Sequence, residues 1–162
     1  MLTGNTSKHN RYDGFVFFES AAVDLTVNTS KDNAEAGFNW GGEASGVASN
    51  NTSQNNQTDG FEIGRSAALE LTGNTSKDNA GAGFAWYDEA SGVASNNTAQ
   101  NNQLSGFIMG GSAAPTLFYN TSKDNAGSGF VWYEQASGAA SNNTAQNNEF
   151  AGFYIADSAA PQ

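Results

Sequence analysis

Cysteine is absent from the 162 residues and proline occurs only twice. Without cysteine there is neither a disulfide framework nor a thiolate metal site, and the redox compartment goes unread. Basic side chains are scarce as well: six Lys and Arg stand against sixteen Asp and Glu, for a formal charge of −10. Phosphate recognition needs clustered Lys and Arg, and these six are scattered, so no nucleic-acid partner is expected. The same acidity disfavours anionic membrane surfaces. No apolar run approaches the roughly 18 residues that would argue for a membrane span, so no membrane insertion is expected. Nothing after Met1 has the basic-then-apolar form of a signal peptide.

What the chain does contain is glycine, asparagine and aromatic residues. Nineteen glycines call for many turns, while 12% aromatic residues is too many for a disordered linker. The glycines are periodic. Gly-Phe occurs at Gly14, Gly37, Gly60, Gly83, Gly106, Gly129 and Gly152, always 23 residues apart. Asn-Thr shares the period, at Asn5, Asn28, Asn51, Asn74, Asn97, Asn120 and Asn143. A second asparagine follows five residues later, from Asn10 and Asn33 to Asn148, and an alanine column runs from Ala21 to Ala159.

These units are too short and too rich in Gly and Asn for a helical repeat. Within them apolar residues alternate: Phe15/Phe17, Phe38/Trp40, Phe61/Ile63, Phe84/Trp86, Phe107/Met109, Phe130/Trp132 and Phe153/Ile155 lie two apart and share one face of a strand. That face is expected to be the core, the tryptophans included. A second column, Leu2, Leu25, Ala48, Leu71, Ala94, Leu117 and Ala140, alternates large and small from the second coil onward, so that neighbouring coils can interdigitate. The asparagines suit coil corners, where their amides can bond to the equivalent amide on the next coil. The expected fold is all-β: one domain over residues 1–162, a parallel β-helix of seven 23-residue coils. At about 4.8 Å per rung it would be about 34 Å long. Coils with Trp and Lys (Trp40, Trp86, Trp132; Lys31, Lys77, Lys123) alternate with coils carrying Gln54, Gln100 or Gln146, so the full repeat is a 46-residue pair.

The pattern Asn74-Thr75-Ser76, Asn79, Gly83-Phe84, with the small-residue turn Ala90-Ser91-Gly92, resembles the right-handed parallel β-helix repeats of the pectate-lyase-like superfamily, including its NosD-like and carbohydrate-binding-and-hydrolysis groups. The likeness covers the whole chain. It implies a right-handed coil of three short parallel strands. It also implies a habit of extracellular or cell-surface placement, but no particular activity, because this fold carries lyases, hydrolases, tailspikes, adhesins and plain structural repeats.

No catalytic constellation is visible. Asp32, Asp78 and Asp124 recur two rungs apart, about 9 to 10 Å, and equal repetition reads as a solvated edge. Glu43, Asp88, Glu89, Glu134 and Asp157 lie near the turn after the Phe-x-Trp strand, where calcium is the one cofactor to consider, although the spacing is not that of a calcium-binding nonapeptide. The first coil departs most from the repeat, with His9, Arg11, Tyr12 and Asp13; as the end of the stack it needs polar residues in any case. Arg65 stands alone on the third coil. Tyr87 and Tyr133, one residue past the tryptophans, are expected to face outward and, with Asp88, Glu89 and Glu134, are the binding candidates. Asn5 and Ser7 with their equivalents should face inward, leaving Thr29, Thr52, Thr75, Thr98 and Thr121 as an outward ladder beside Lys or Gln, an arrangement reminiscent of ice-binding faces.

Neither end carries an evident cap, and solenoids normally need one. The sequence therefore reads as a segment of a longer array or as a unit that stacks end to end. Either makes it a non-catalytic structural solenoid: a stalk, an adhesin segment or a filament subunit. The alternatives are a polysaccharide-binding or polysaccharide-processing domain, with a glycan as partner, and an ice-binding solenoid.

Overall fold

The computed structural model describes residues 1–162, which form 21 short strands and no helix. They build three parallel sheets of seven strands. The first sheet runs from β1 (Leu2–Thr3) to β19 (Ala139–Ser141), the second from β2 (Thr6–Lys8) to β20 (Thr144–Gln146), and the third from β3 (Phe15–Phe17) to β21 (Phe153–Ile155). Every pairing joins residues 23 apart, as Phe38 to Phe61 and Phe61 to Phe84. The sequence period is thus one turn of the solenoid.

The alternation of the third sheet sets its core. Phe38, Phe61, Phe84, Phe107 and Phe130 are fully buried, and their rings stack coil on coil with centroids 4.7 to 4.9 Å apart. Trp40, Trp86 and Trp132 lie inside beside them. Each indole N–H there lacks a partner. A buried unpaired donor costs about 1–3 kcal/mol, which the area of the large ring offsets.

In the first sheet Leu25, Ala48, Leu71, Ala94 and Leu117 are fully buried in the predicted large-small alternation. A second alternation beside it escapes sequence reading. Gly46 (φ 128°) faces Val23, and Gly92 (φ 108°) faces Leu69. A Cβ on either glycine would overlap the backbone carbonyl of its neighbour, so the bulky residue of one coil sits against bare backbone on the next.

Two buried asparagine columns run the length of the stack at the bends flanking the second sheet. In each, the backbone N–H and the Nδ2 of one asparagine donate to the Oδ1 of the next; Asn51 reaches Asn74 at 2.9 and 3.0 Å, and Asn56 reaches Asn79 at 3.0 and 3.0 Å. The ladder asparagines do not take the left-handed corner conformation. The residue immediately before each does: Val27, Asn50, Asn96, Tyr119 and Asn142 in front of one column, and Asp32, Asn55, Asp78, Asn101, Asp124 and Asn147 in front of the other. Most of these are Asn or Asp, whose short polar side chains tolerate that conformation best. The invariant glycine has a different cause. Ser30 Oγ donates to the Gly37 carbonyl at 2.7 Å, and a Cβ on Gly37 would lie 2.7 Å from the Gly60 carbonyl. Only a bare Cα fits between stacked coils there.

Candidate functional site

A site needs asymmetry, and the three outer faces differ in how much they have. The second sheet is monotonous. Thr29, Thr52, Thr75, Thr98 and Thr121 pair in register and stand half-buried on the outside, with Lys31, Gln54, Lys77, Gln100 and Lys123 two residues on. Ser30, Ser53, Ser76, Ala99 and Ser122 point inward between them, as strand parity requires. Asp32, Asp78 and Asp124 are corner residues, each accepting a hydrogen bond from the asparagine one coil on, Asn55, Asn101 and Asn147, at 3.2 to 3.3 Å.

The carboxylates after the third sheet also serve the stack. Asp88 accepts the Arg65 backbone N–H at 3.1 Å, Glu134 that of Gly111 at 2.6 Å, and Asp157 that of Glu134 at 3.1 Å. Glu89 lies 3.4 Å from the Ser66 hydroxyl, which donates to it. Arg65 itself occupies a left-handed corner in the same column. No three of the His, Asp or Glu side chains converge where a metal ion would sit, Glu43, Asp88, Glu89, Glu134 and Asp157 included.

The outer face of the third sheet departs from the repeat. Its central column does not repeat: Val16, then the polar Asn39 and Glu62, then the aliphatic Ala85, Ile108 and Val131, then Tyr154. The column just past the strands reads Phe18, Gly41, Gly64, Tyr87, Gly110, Tyr133 and Ala156. Glycine here makes room for rings on adjacent coils: Phe18 covers Gly41, and Tyr133 covers Gly110 so closely that a Cβ would overlap the ring. Tyr87 and Tyr133 point outward as expected, yet both are held half-buried against the sheet. The Tyr87 hydroxyl donates to Asp59 Oδ2 at 3.3 Å.

Gly64 is the exception, since the nearest atom to a Cβ there is 3.9 Å away. The space it leaves is a trough of about 320 Å³ bounded by Phe18 and Tyr87, with Asn39 and Glu62 on the strand side and Arg65 and Asp88 on the corner side. Phe18 and Tyr87 stand three rungs apart in their column, about 14 Å along the axis, with the Phe18 ring leaning over Gly41 and the Tyr87 hydroxyl reaching back to Asp59. Two further acids, Asp13 and Asp59, lie close enough to Glu62 for their charges to act on it. Asp13 accepts the Ala36 N–H at 2.8 Å and the Asn39 amide at 3.1 Å. Asp59 accepts the Ala82 N–H at 2.6 Å as well as the Tyr87 hydroxyl. Burial pushes the Asp59 carboxyl above its ordinary value, against the opposing pull of those two donors. Glu62 is pushed up to about 7, first by burial and then by the charges of Asp59, Asp13 and Glu35. Burial raises the Tyr87 and Tyr133 phenols too, and neighbouring carboxylates add to it.

Of the unusual first coil, only Asp13 is one of these acids. His9 fills a left-handed corner, and Arg11 lies over the exposed Tyr12 ring at 5.9 Å. Phe18, Asn39, Asp59 and Glu62 are not singled out by the repeat; for Asn39 and Glu62 the signal is the varying residue between Phe and the next inward side chain, as in Phe38-Asn39-Trp40 and Phe61-Glu62-Ile63. A second, wider and more apolar depression of about 710 Å³ lies on the same face near Val131, Phe150 and Tyr154. The first trough offers two flat rings with donors and acceptors between them, and a carboxyl that can donate a hydrogen bond near neutral pH. That is equipment for holding a ring-shaped polar ligand.

Residues 14–162 match the family model described as the right handed beta helix region. Neither the curated proteins nor the solved structures yield a match.

Proposed function

The chain belongs to the right-handed beta helix family, and on that premise we propose that it is a rigid, non-catalytic structural element of a secreted or cell-surface protein: a stalk, an adhesin segment or a filament subunit. The observation that carries this reading is the unbroken run of both asparagine ladders from coil to coil. Bending the rod would open amide pairs that are buried, and buried polar groups are costly to leave unpaired. Its outermost rungs keep the repeat's inward pattern, with Leu2, Phe153 and Ile155 partly exposed. A further coil fits on either, whether from the same polypeptide or from a second copy; Ala140 beneath Leu2 of another copy would continue the large-small alternation. Sedimentation and negative-stain microscopy over a range of concentrations test this. Filaments one solenoid wide support self-stacking, whereas a monomer at every concentration removes the filament reading and leaves the rigid spacer.

The trough between Phe18 and Tyr87 favours a second reading, a polysaccharide-binding face on the same scaffold. Sugar rings stack on aromatic faces, and the groups between the rings can bond to hydroxyls. A glycan panel tests it: binding that disappears in Tyr87→Ala supports the trough, and glycan binding indifferent to that change places the contact elsewhere. Replacing both Tyr87 and Tyr133 separates the trough from the neighbouring coils.

A further inference from the structure

The repeat writes the pattern Asn-x-Ser/Thr many times, and the fold divides these copies into two kinds. Asn28, Asn51, Asn56, Asn74 and Asn120 each begin such a triplet and each is a ladder residue with about 1% of its surface exposed. Their amide nitrogens have no hydrogen to spare. Asn28 Nδ2 donates to the Leu2 carbonyl and to Asn51 Oδ1, Asn74 Nδ2 to Ala48 and Asn97, and Asn120 Nδ2 to Ala94 and Asn143. Asn5, on the end coil, also begins such a triplet but is exposed: its amide reaches Asn28 Oδ1 and, at 3.3 Å, the Thr3 carbonyl two residues back.

Asn50, Asn96 and Asn142 are different. Each is followed by Asn-Thr, each is exposed, each sits on a left-handed corner, and none of their side-chain nitrogens donates a hydrogen bond within the chain. Asn50 leans its Oδ1 over Gly73, which directs the nitrogen away from the stack. The hydroxyls of Thr52 and Thr98, two residues on, stand on the half-exposed threonine face. The three asparagines are two coils apart, a spacing of about 9.6 Å along one edge of the rod.

We infer that Asn50, Asn96 and Asn142 form a column of acceptor sites for N-linked oligosaccharide, and that the ladder asparagines are closed to the same modification by the fold. In the transfer the Asn Nδ2 loses one hydrogen as a proton and bonds to the anomeric carbon of an oligosaccharide carried on a lipid diphosphate, which departs with the bonding electron pair. At a corner this replaces a hydrogen that faces water. At a ladder position it removes a buried hydrogen bond and inserts a polar sugar between coils, so the stack cannot close around it. Use of these sites in the protein's own setting rests on the secreted placement proposed above; their chemistry does not.

The experiment directs the chain through a glycosylating secretory pathway with an added leader, then maps glycans on the folded, secreted fraction by peptide mass spectrometry before and after enzymatic sugar removal. Two variants accompany it, each first shown to fold in a host without N-glycosylation. One silences the ladder triplets with Ser30→Ala, Ser53→Ala, Ser76→Ala and Ser122→Ala, copying the alanines already present as Ala99 and Ala145, together with Thr58→Ala; parent and variants alike carry Ser7→Ala, which removes the exposed triplet at Asn5. The other carries Asn50→Gly, Asn96→Gly and Asn142→Gly, copying Gly4 and Gly73 of the same corner column. The expected result is sugar at the three corner asparagines only, secretion of the silenced variant at least several-fold above the parent, and a sugar-free folded fraction from the glycine variant. A folded chain carrying sugar at Asn28, Asn51, Asn56, Asn74 or Asn120 overturns the inference. So does a folded silenced variant with none of the three corner sites occupied. Because the leader is supplied, these outcomes are independent of the native compartment.

Discussion

Asn74 sends two hydrogen bonds to a single atom: its backbone N–H and its Nδ2 reach Oδ1 of Asn97 at 2.8 and 3.0 Å, while the remaining Nδ2 hydrogen goes to the Ala48 carbonyl at 2.8 Å. One side chain therefore ties three successive coils. Asn74→Asp keeps the shape and the acceptor but replaces the donor by a buried carboxyl beside another oxygen. It should destabilise the chain by about 3 kcal/mol or more, and Asn74→Ala by about 2–3 kcal/mol. Asn96→Gly, one column out at a corner, should change stability by less than about 1 kcal/mol. Urea unfolding read by tryptophan fluorescence checks all three, and similar midpoints for Asn74→Asp and Asn96→Gly would show that the ladder is not what holds the coils.

Glycines of the same repeat should respond in opposite ways. Gly46 adopts φ 128° against the Val23 carbonyl, whereas Gly64 has open space where a side chain would stand. Gly46→Ala is expected to cost about 2–4 kcal/mol through backbone overlap and a disfavoured dihedral, and Gly64→Ala to lie within about 0.5 kcal/mol of the parent. Thermal melts of the two variants side by side give the comparison.

Glu62 makes stability depend on pH. Its folded-state value of about 7 lies above the ordinary carboxylate value of 4.5, so the fold binds the proton more tightly than the unfolded chain. The stabilisation is complete below the ordinary value and is lost as pH rises through about 7. Because Glu62 keeps part of its surface in water, the loss is discounted to about 1–2 kcal/mol. The melting temperature should therefore fall between pH 5 and pH 8, and Glu62→Gln should flatten that slope. A slope unchanged in the variant would assign the effect to another group, Asp59 first.

Tyr87→Phe tests the bond beneath the trough. The Tyr87 hydroxyl is one of two donors that oppose the burial of Asp59, so its removal should raise the Asp59 carboxyl further. Carbon-detected NMR titration of the Asp59 side chain reads this directly, and an unmoved titration would mean that the hydroxyl bonds elsewhere in solution.

Much of the fold was legible because a solenoid makes tertiary contacts periodic in sequence. Residues 23 apart touch, so the Gly-Phe register already states the strand pairing, and the parity of Phe38 and Trp40 states which side is core. The candidate site was legible only in part, through Tyr87, Asp88 and the odd first coil with Asp13. Phe18, Asn39, Asp59 and Glu62 were missed for the converse reason: each breaks its column, and a search for repetition passes over residues that do not repeat.

The sequence by itself determined the coil count, the strand parity and the two asparagine columns, since each follows from spacing alone. Only the tertiary structure decided which residue of each corner turns left-handed, which glycines are needed for close approach, and which asparagines still have an amide hydrogen facing water. Those outcomes depend on where the next coil's carbonyls, rings and amides lie, and that is set by stacking across the axis and not by order along the chain.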